Sequence, residues 1–386
     1  MTNPADPPYD RFQIMRGVAC LMVFANHIAG LLSAPLGAEG RWYGPLLVPL
    51  GFPWVWLFLI LSGFLLTKQF ASGRIALDRE GVLKFYRRRS RRLFPMLIFT
   101  PVLLGVLFSL GIWSPNLPAF HAVSELQIAL ALPWVAYVSG NPVASVNSAV
   151  WSAVLEVHYF ILLPLLLAFA RLRLKPVLAV LGLWAIGIAM LAASVAVTGE
   201  PAIFPGIYQQ HFYNAGFMLA GCALALVATE RARPVKLLWP VAATAAAMVG
   251  TQYLCAYDLN LALALLPLLL LGPLSWLVFC SNANWQAPLP HNIGSLALSR
   301  GPLRWLELAG MMSYSIYLLH KPLGYIAVSR LGLAAWVQGI PTLLVTLLLT
   351  LIVILPVIIA AFVFVEVRFR HPTARPSDME VRWSGG

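Results

Sequence analysis

PTLLVTLLLTLIVILPVIIAAFVFV, residues 341–365, holds no charged side chain. A helix of that length spans the roughly 30 Å of bilayer hydrocarbon, and an uncharged apolar run of 18 or more residues marks a membrane span. Outward from it, nine further stretches of comparable character occur near 14–34, 46–67, 92–112, 150–170, 176–197, 212–229, 237–256, 261–280 and 308–331. An eleventh candidate, 121–139, has only the short run Ile128 to Val138, broken by Pro133, and reads as interfacial or re-entrant. The whole chain agrees: of 386 residues, 60% are hydrophobic and 10% charged, with mean hydropathy +0.81, whereas a soluble domain carries about 25% charge. The expected fold is an all-α polytopic integral membrane protein with about ten transmembrane helices.

The net charge of +12 would point to nucleic acid in a soluble chain, but in a polytopic one it is first a topology signal. With the N-terminus inside, the inner segments collect Lys68 through Arg92, then Arg171, Arg173 and Lys175, Arg231, Arg233 and Lys236, Arg300 and Arg304, and the arginines from Arg368 onward. Of 26 Lys and Arg, only Arg41 and Arg330 fall outside. Segments 113–149 and 198–211 have neither, so both termini are expected in the cytoplasm and no nucleic-acid partner is expected. Cys20, Cys222, Cys255 and Cys280 lie singly in apolar runs, without the spacing of a disulfide framework or metal site. The first span, with Arg16 and His27 inside it and no strongly basic lead, does not read as a cleaved signal peptide. The organisation expected is one transmembrane domain, 1–372, with a cytoplasmic tail, 373–386, and no appended soluble domain.

Ionisable groups at membrane depth cost roughly 2.5–3.5 kcal/mol each, which makes them functional candidates. Of 14 carboxylates only Glu156 lies well inside a span, with Glu230, Glu307 and Glu366 at span ends. His27, His158 and His320 lie inside, with Lys321 beside the last. Eleven residues separate Arg16 from His27; at about 100° each they end roughly 20° past three turns, so both face one side about 16 Å apart in depth. Arg16 could equally serve topology and His27 a helix contact. His158 and the Tyr314/Tyr317 pair read as packing, and Trp113, Trp134 and Tyr137 as interface aromatics. Before the third span, Arg87, Arg88, Arg89, Arg91 and Arg92 crowd six positions. Topology and anionic lipid account for some of that charge. Guanidinium forks also suit phosphate oxygens, so a phosphorylated cytosolic donor is the functional reading.

Taken in order, these motifs resemble the bacterial membrane acyltransferase-3 family. Arg16 and His27 fit its Arg-x10-His signature, and Leu61-Ser62-Gly63-Phe64 is similar to its second-helix motif. Phe85-Tyr86-Arg87-Arg88-Arg89 through Pro95, Trp151-Ser152 through Glu156, and Ser313-Tyr314-Ser315-Ile316-Tyr317-Leu318-Leu319-His320-Lys321-Pro322 are similar to three further blocks. Val157 stands where the family often has a second Glu. The resemblance implies an enzyme of the bacterial cytoplasmic (inner) membrane. It would transfer an acyl group, usually acetyl, from cytosolic acyl-CoA to a hydroxyl of an exopolysaccharide, lipopolysaccharide, lipid-linked sugar or other glycan subunit. His27 is then the expected base, Glu156 the group that orients an imidazole, and His320 a donor to the oxyanion. Arg16 with Arg87, Arg88, Arg89, Arg91 and Arg92 would hold the CoA phosphates. Acyl-CoA is a substrate here, and neither a metal nor a permanently bound cofactor is expected. The rival readings are a proton-coupled secondary transporter using Glu156 and the histidines, a natural-product acyltransferase, and a glycosyltransferase with a lipid-linked donor.

Overall fold

A computed structural model describes residues 10–32, 51–112, 130, 147–198, 211–230 and 302–370, and these are helical with short turns. The helices are α1 (Arg11–Leu32), α2 (Gly51–Ala71), α3 (Arg79–Ser109), α4 (Trp151–Ala170), α5 (Leu174–Thr198), α6 (His211–Glu230), α7 (Pro302–Met311), α8 (Ser313–Arg330) and α9 (Ile340–Ala361). A π-helical segment, Phe362–Val367, prolongs α9. Among the described residues five helices are long and apolar enough to cross a membrane: Phe12–Leu32, Trp54–Ala71, Arg79–Ser109, Trp151–Ala170 and Ile340–Val367. The expected spans 237–256 and 261–280, the candidate 121–139 apart from residue 130, the tail 373–386, Cys255, Cys280, Trp113, Trp134 and Tyr137 lie outside the described residues.

Two expected boundaries differ. The helix expected at 92–112 begins at Arg79, because Asp78 caps it: its carboxylate accepts the Gly81 N–H at 2.7 Å and its carbonyl accepts that of Val82 at 2.9 Å. The resulting 31-residue helix is roughly 46 Å long, more than hydrocarbon requires, so the arginine stretch is helical. The span expected at 308–331 is broken at Met312, whose ψ of 2° leaves the helical region, into α7 and α8. Helix α8 carries more polar side chains than α9, yet every residue from Met312 to His320 is buried.

The chain divides into two compact units. One comprises Met1–Gly37, Ser90–Val150 and Asn284–Gly386. Here Asp10 caps α1 through the Phe12 and Gln13 N–H groups, at 3.0 and 3.2 Å, while its own N–H goes to Glu307. Contacts between α1 and α8 advance together, Arg16 with Ser313, His27 with His320 and Ile28 with Gly324, so these helices run parallel. Helix α9 buries Leu343, Thr346, Leu347, Thr350, Ile354 and Ile358, a stripe spaced by three and four residues. Its other face exposes Leu344, Val345, Leu348, Ile352 and Val353, an apolar surface suited to lipid.

The second unit comprises Ala38–Arg89 and Trp151–Ala283. Among its described residues α2 packs along α6, also parallel, with Trp56 donating to Asn214 at 3.0 Å and the Gly63 carbonyl meeting Cys222 further along. Glycines allow the approach, as expected where lipid-soluble helices must associate by close packing. A Cβ on Gly63 would strike the Met218 carbonyl, and one on Gly221 the Ile60 carbonyl. Gly221→Ala should therefore lower the detergent Tm by several degrees, for a loss of about 1–3 kcal/mol. Gly182→Ala, with open space around it, should leave Tm unchanged. Equal melting of the two variants by near-UV circular dichroism would exclude this close approach.

Candidate active site

The parallel run of α1 and α8 creates two polar rungs. At the first, Arg16 Nη2 donates to Ser313 Oγ at 3.1 Å, and the Cys20 thiol meets the Ser313 carbonyl at 3.5 Å. Seven residues along α8, roughly 10 Å further, His27 Nδ1 lies 2.6 Å from His320 Nε2. The imidazoles are nearly parallel at 16°, with centroids 4.9 Å apart. Phe24 and Tyr317 flank the His320 ring at 6.4 and 5.8 Å. His27 is half-buried and His320 is 1% exposed.

The partners assign the tautomers. His320 Nδ1 lies 3.0 Å from the Ile316 carbonyl and 2.8 Å from that of Tyr317, and carbonyls only accept, so Nδ1 carries the proton. In the neutral ring Nε2 is then the acceptor, and the proton between the imidazoles belongs to His27 Nδ1. That leaves His27 Nε2 with its lone pair, and among the described residues it has no partner. A basic nitrogen whose ring is held through its other nitrogen is what general-base catalysis requires. Both His320 nitrogens are engaged, which leaves the neutral ring no proton for an oxyanion. In this tautomer His320 Nε2 accepts from His27 Nδ1.

Glu156 lies in the other unit, half-buried on α4, where its Oε1 accepts from Ser62 Oγ at 3.1 Å. His158 is also half-buried, and Tyr314 donates to the Leu93 carbonyl at 3.1 Å. The more deeply buried carboxylates are two that sequence depth assigned to span ends. Glu307, fully buried, pairs with buried Arg304 at 2.8 Å and accepts the Asp10 N–H at 3.0 Å. Glu366, also fully buried, accepts a short hydrogen bond from Ser315 inside the π-helical turn. Position along a span says nothing about which way a side chain faces, so their burial was hidden. Ser315, within the Ser-Tyr-Ser stretch, was the available pointer to Glu366.

The arginines divide by face. Arg87, Arg88 and Arg91 are exposed, while Arg89 and Arg92 are half-buried. These two fall on the stripe of Phe85, Leu93 and Met96, all buried. Arg92 Nε is buried without a hydrogen-bond partner among the described residues.

Comparison with known proteins agrees with this constellation of motifs. The chain is 30% identical over 298 residues to the putative peptidoglycan O-acetyltransferase YrhL of Bacillus subtilis (strain 168), covering 70% of this chain and 44% of that protein. It is 30% identical over 196 residues to the acyltransferase MdmB of Streptomyces mycarofaciens, covering 50% of this chain and 46% of that one. The matches thus span less than half the length of either relative. No solved structure gives a significant match. The acyltransferase domain family matches from residue 9 to residue 364, taking in α1 with His27, α8 with His320 and all of α9, and the chain belongs to that acyltransferase-3 family.

Proposed function

We propose that this protein is a bacterial inner-membrane O-acyltransferase moving an acyl group, acetyl above all, from cytosolic acyl-CoA to a hydroxyl of a glycan or lipid-linked sugar. The observation that carries the reading is the 2.6 Å contact between His27 Nδ1 and His320 Nε2 with the His320 proton held by carbonyls. His27 Nε2 takes the acceptor hydroxyl proton as its oxygen attacks the thioester carbonyl. The tetrahedral oxyanion then collapses, the C–S bond breaks, and the departing CoA thiolate recovers the proton from His27. An ester and free CoA result, and the imidazole returns to its starting state. His320 acts as a positioning residue, stabilising the transient imidazolium through the shared proton.

Arg16 and the α3 arginines are each candidates to bind the CoA phosphates; on α3 Arg89 and Arg92 are half-buried and Arg87, Arg88 and Arg91 exposed. The first rung and the second are separated along α8 by a distance that the extended thiol-bearing arm of CoA can bridge. A glycan acceptor is favoured by the relative described as a putative peptidoglycan O-acetyltransferase. Parallel packing of α1 with α8 and of α2 with α6 requires an odd number of crossings between each pair. Ten spans with cytoplasmic termini have that parity. Glu156, in the second unit, is a separate candidate: a Gln could accept the same Ser62 bond at lower insertion cost, so a carboxylate there points to a role for its charge.

Three outcomes test the reading. His27→Gln and His27→Ala should insert and fold yet abolish transfer of labelled acetyl from acetyl-CoA to envelope material in inverted membrane vesicles; near wild-type transfer by either removes His27 from the chemistry. Arg89→Gln with Arg92→Gln should weaken acetyl-CoA binding about tenfold or more, roughly 1.4 kcal/mol, with a far smaller effect from Arg87→Gln with Arg88→Gln. Calorimetry in detergent reads both, wild-type affinity should fall as salt rises, and equal effects would dissolve the distinction between faces. Glu156→Gln should reduce turnover by a factor of about 100, and wild-type turnover would reduce Glu156 to a helix contact with Ser62.

A further inference from the structure

Pro322 lies two residues past His320 within α8. A proline has no N–H, so the carbonyl four residues back, that of Leu318, loses its helical partner. In hydrocarbon no water replaces it. The missing donor comes from Asn147, which lies outside every motif named above. Its Nδ2 donates to the Leu318 carbonyl at 2.6 Å, and the residue is 1% exposed. The other end of the same amide is also engaged. Oδ1 accepts the Ala149 N–H at 3.3 Å, and the Asn147 carbonyl accepts that of Val150 at 3.0 Å, which starts the 3₁₀ turn Ser148–Val150 ahead of α4. These partners fix which end of the amide is nitrogen. They also explain the residue type: Asp would keep the turn but lose the donor, and Gln would be one methylene too long for the turn.

The placement matters because of which peptide units surround it. Leu318 follows Ile316 and Tyr317, whose carbonyls hold His320 Nδ1, and precedes His320 itself. An unsatisfied Leu318 carbonyl would tilt its peptide unit in search of a donor, and tilt the two adjoining carbonyls and the imidazole with it. Catalytic groups must be held within about 0.5 Å and 10–20°, and a misplacement of about 1 Å can cost 100-fold in rate. We propose that Asn147 is a positioning residue for the His27–His320 pair, acting by satisfying the carbonyl that Pro322 leaves open. This rests on the acyltransferase reading for its effect on turnover, but its effect on the imidazoles stands without it.

Pro322→Ala restores an N–H opposite the Leu318 carbonyl and so makes the decisive suppressor. Turnover is read as acetyl transfer from labelled acetyl-CoA to envelope material in inverted membrane vesicles, and the rings by ¹⁵N NMR of the histidine-labelled full chain. Asn147→Ala should lower kcat about tenfold or more with KM for acetyl-CoA nearly unchanged, and should weaken the signal of the shared His27–His320 proton. Pro322→Ala alone should stay close to wild type in both. The double variant should recover most of the turnover and the shared-proton signal, although the Ala149 cap remains lost. Asn147→Asp, which keeps that cap, should be as defective as Asn147→Ala. A double variant no better than Asn147→Ala, histidine signals indifferent to Asn147, or a KM effect in place of a kcat effect would overturn the positioning role. Wild-type turnover by His27→Gln in the same vesicles would overturn the base assignment instead, leaving the NMR result to decide Asn147.

Discussion

In hydrocarbon a polar group has only protein to bond with, and the described part of the first unit is organised by that constraint. Helix α8 carries Ser313, Ser315, His320 and the proline-opened Leu318 carbonyl, and each meets a partner from elsewhere in the unit: Arg16, Glu366, His27 and Asn147. Apolar packing alone would let α8 rotate or slide against α1, because one aliphatic contact is much like another. Directional bonds at successive rungs do not permit this. A slip of one residue would turn each polar group by about 100° and strand it.

The same logic orders the pair of histidines. Backbone carbonyls can only accept, so they impose a proton on His320 Nδ1; His320 Nε2 then imposes one on His27 Nδ1, and the lone pair emerges on His27 Nε2. In a serine-hydrolase triad a carboxylate performs the holding role and favours the imidazolium by its charge. Here a neutral ring performs it.

Helix α7 inverts the usual amphipathic pattern for the same reason. Arg304 and Glu307 face inward as a buried pair, while Leu303 and Trp305 are exposed. A buried pair of this kind is little gain in stability over apolar packing, since desolvation offsets attraction, but removal of either partner would leave an uncompensated charge. Its position, tied to the Asp10 N–H at the start of α1, links the cap of α1 to α7. The rungs that follow along α1 thus begin from a secured end.

The apolar run at 341–365 and the spacing of Arg16 and His27 were legible as a helix and as a shared face because periodicity is a local property, whereas the arginine stretch, expected to precede the third span as a linker, is part of its helix. The acyltransferase resemblance was legible because its motifs are contiguous and ordered. Glu307 and Glu366 were not read as buried, α8 was read as one continuous span with α7, and Asn147 was not singled out at all. These depend on facing and on partners far along the chain: Asn147 and Leu318 are 171 residues apart, and His27 and His320 are 293 apart. Composition and pattern by themselves determined that the chain enters a membrane as helices and which residues could do chemistry there. Only the tertiary structure decided which imidazole donates to the other and which nitrogen of His27 keeps its lone pair, because hydrogen bonds are directional and their partners are chosen by the packing of helices, which no local pattern encodes.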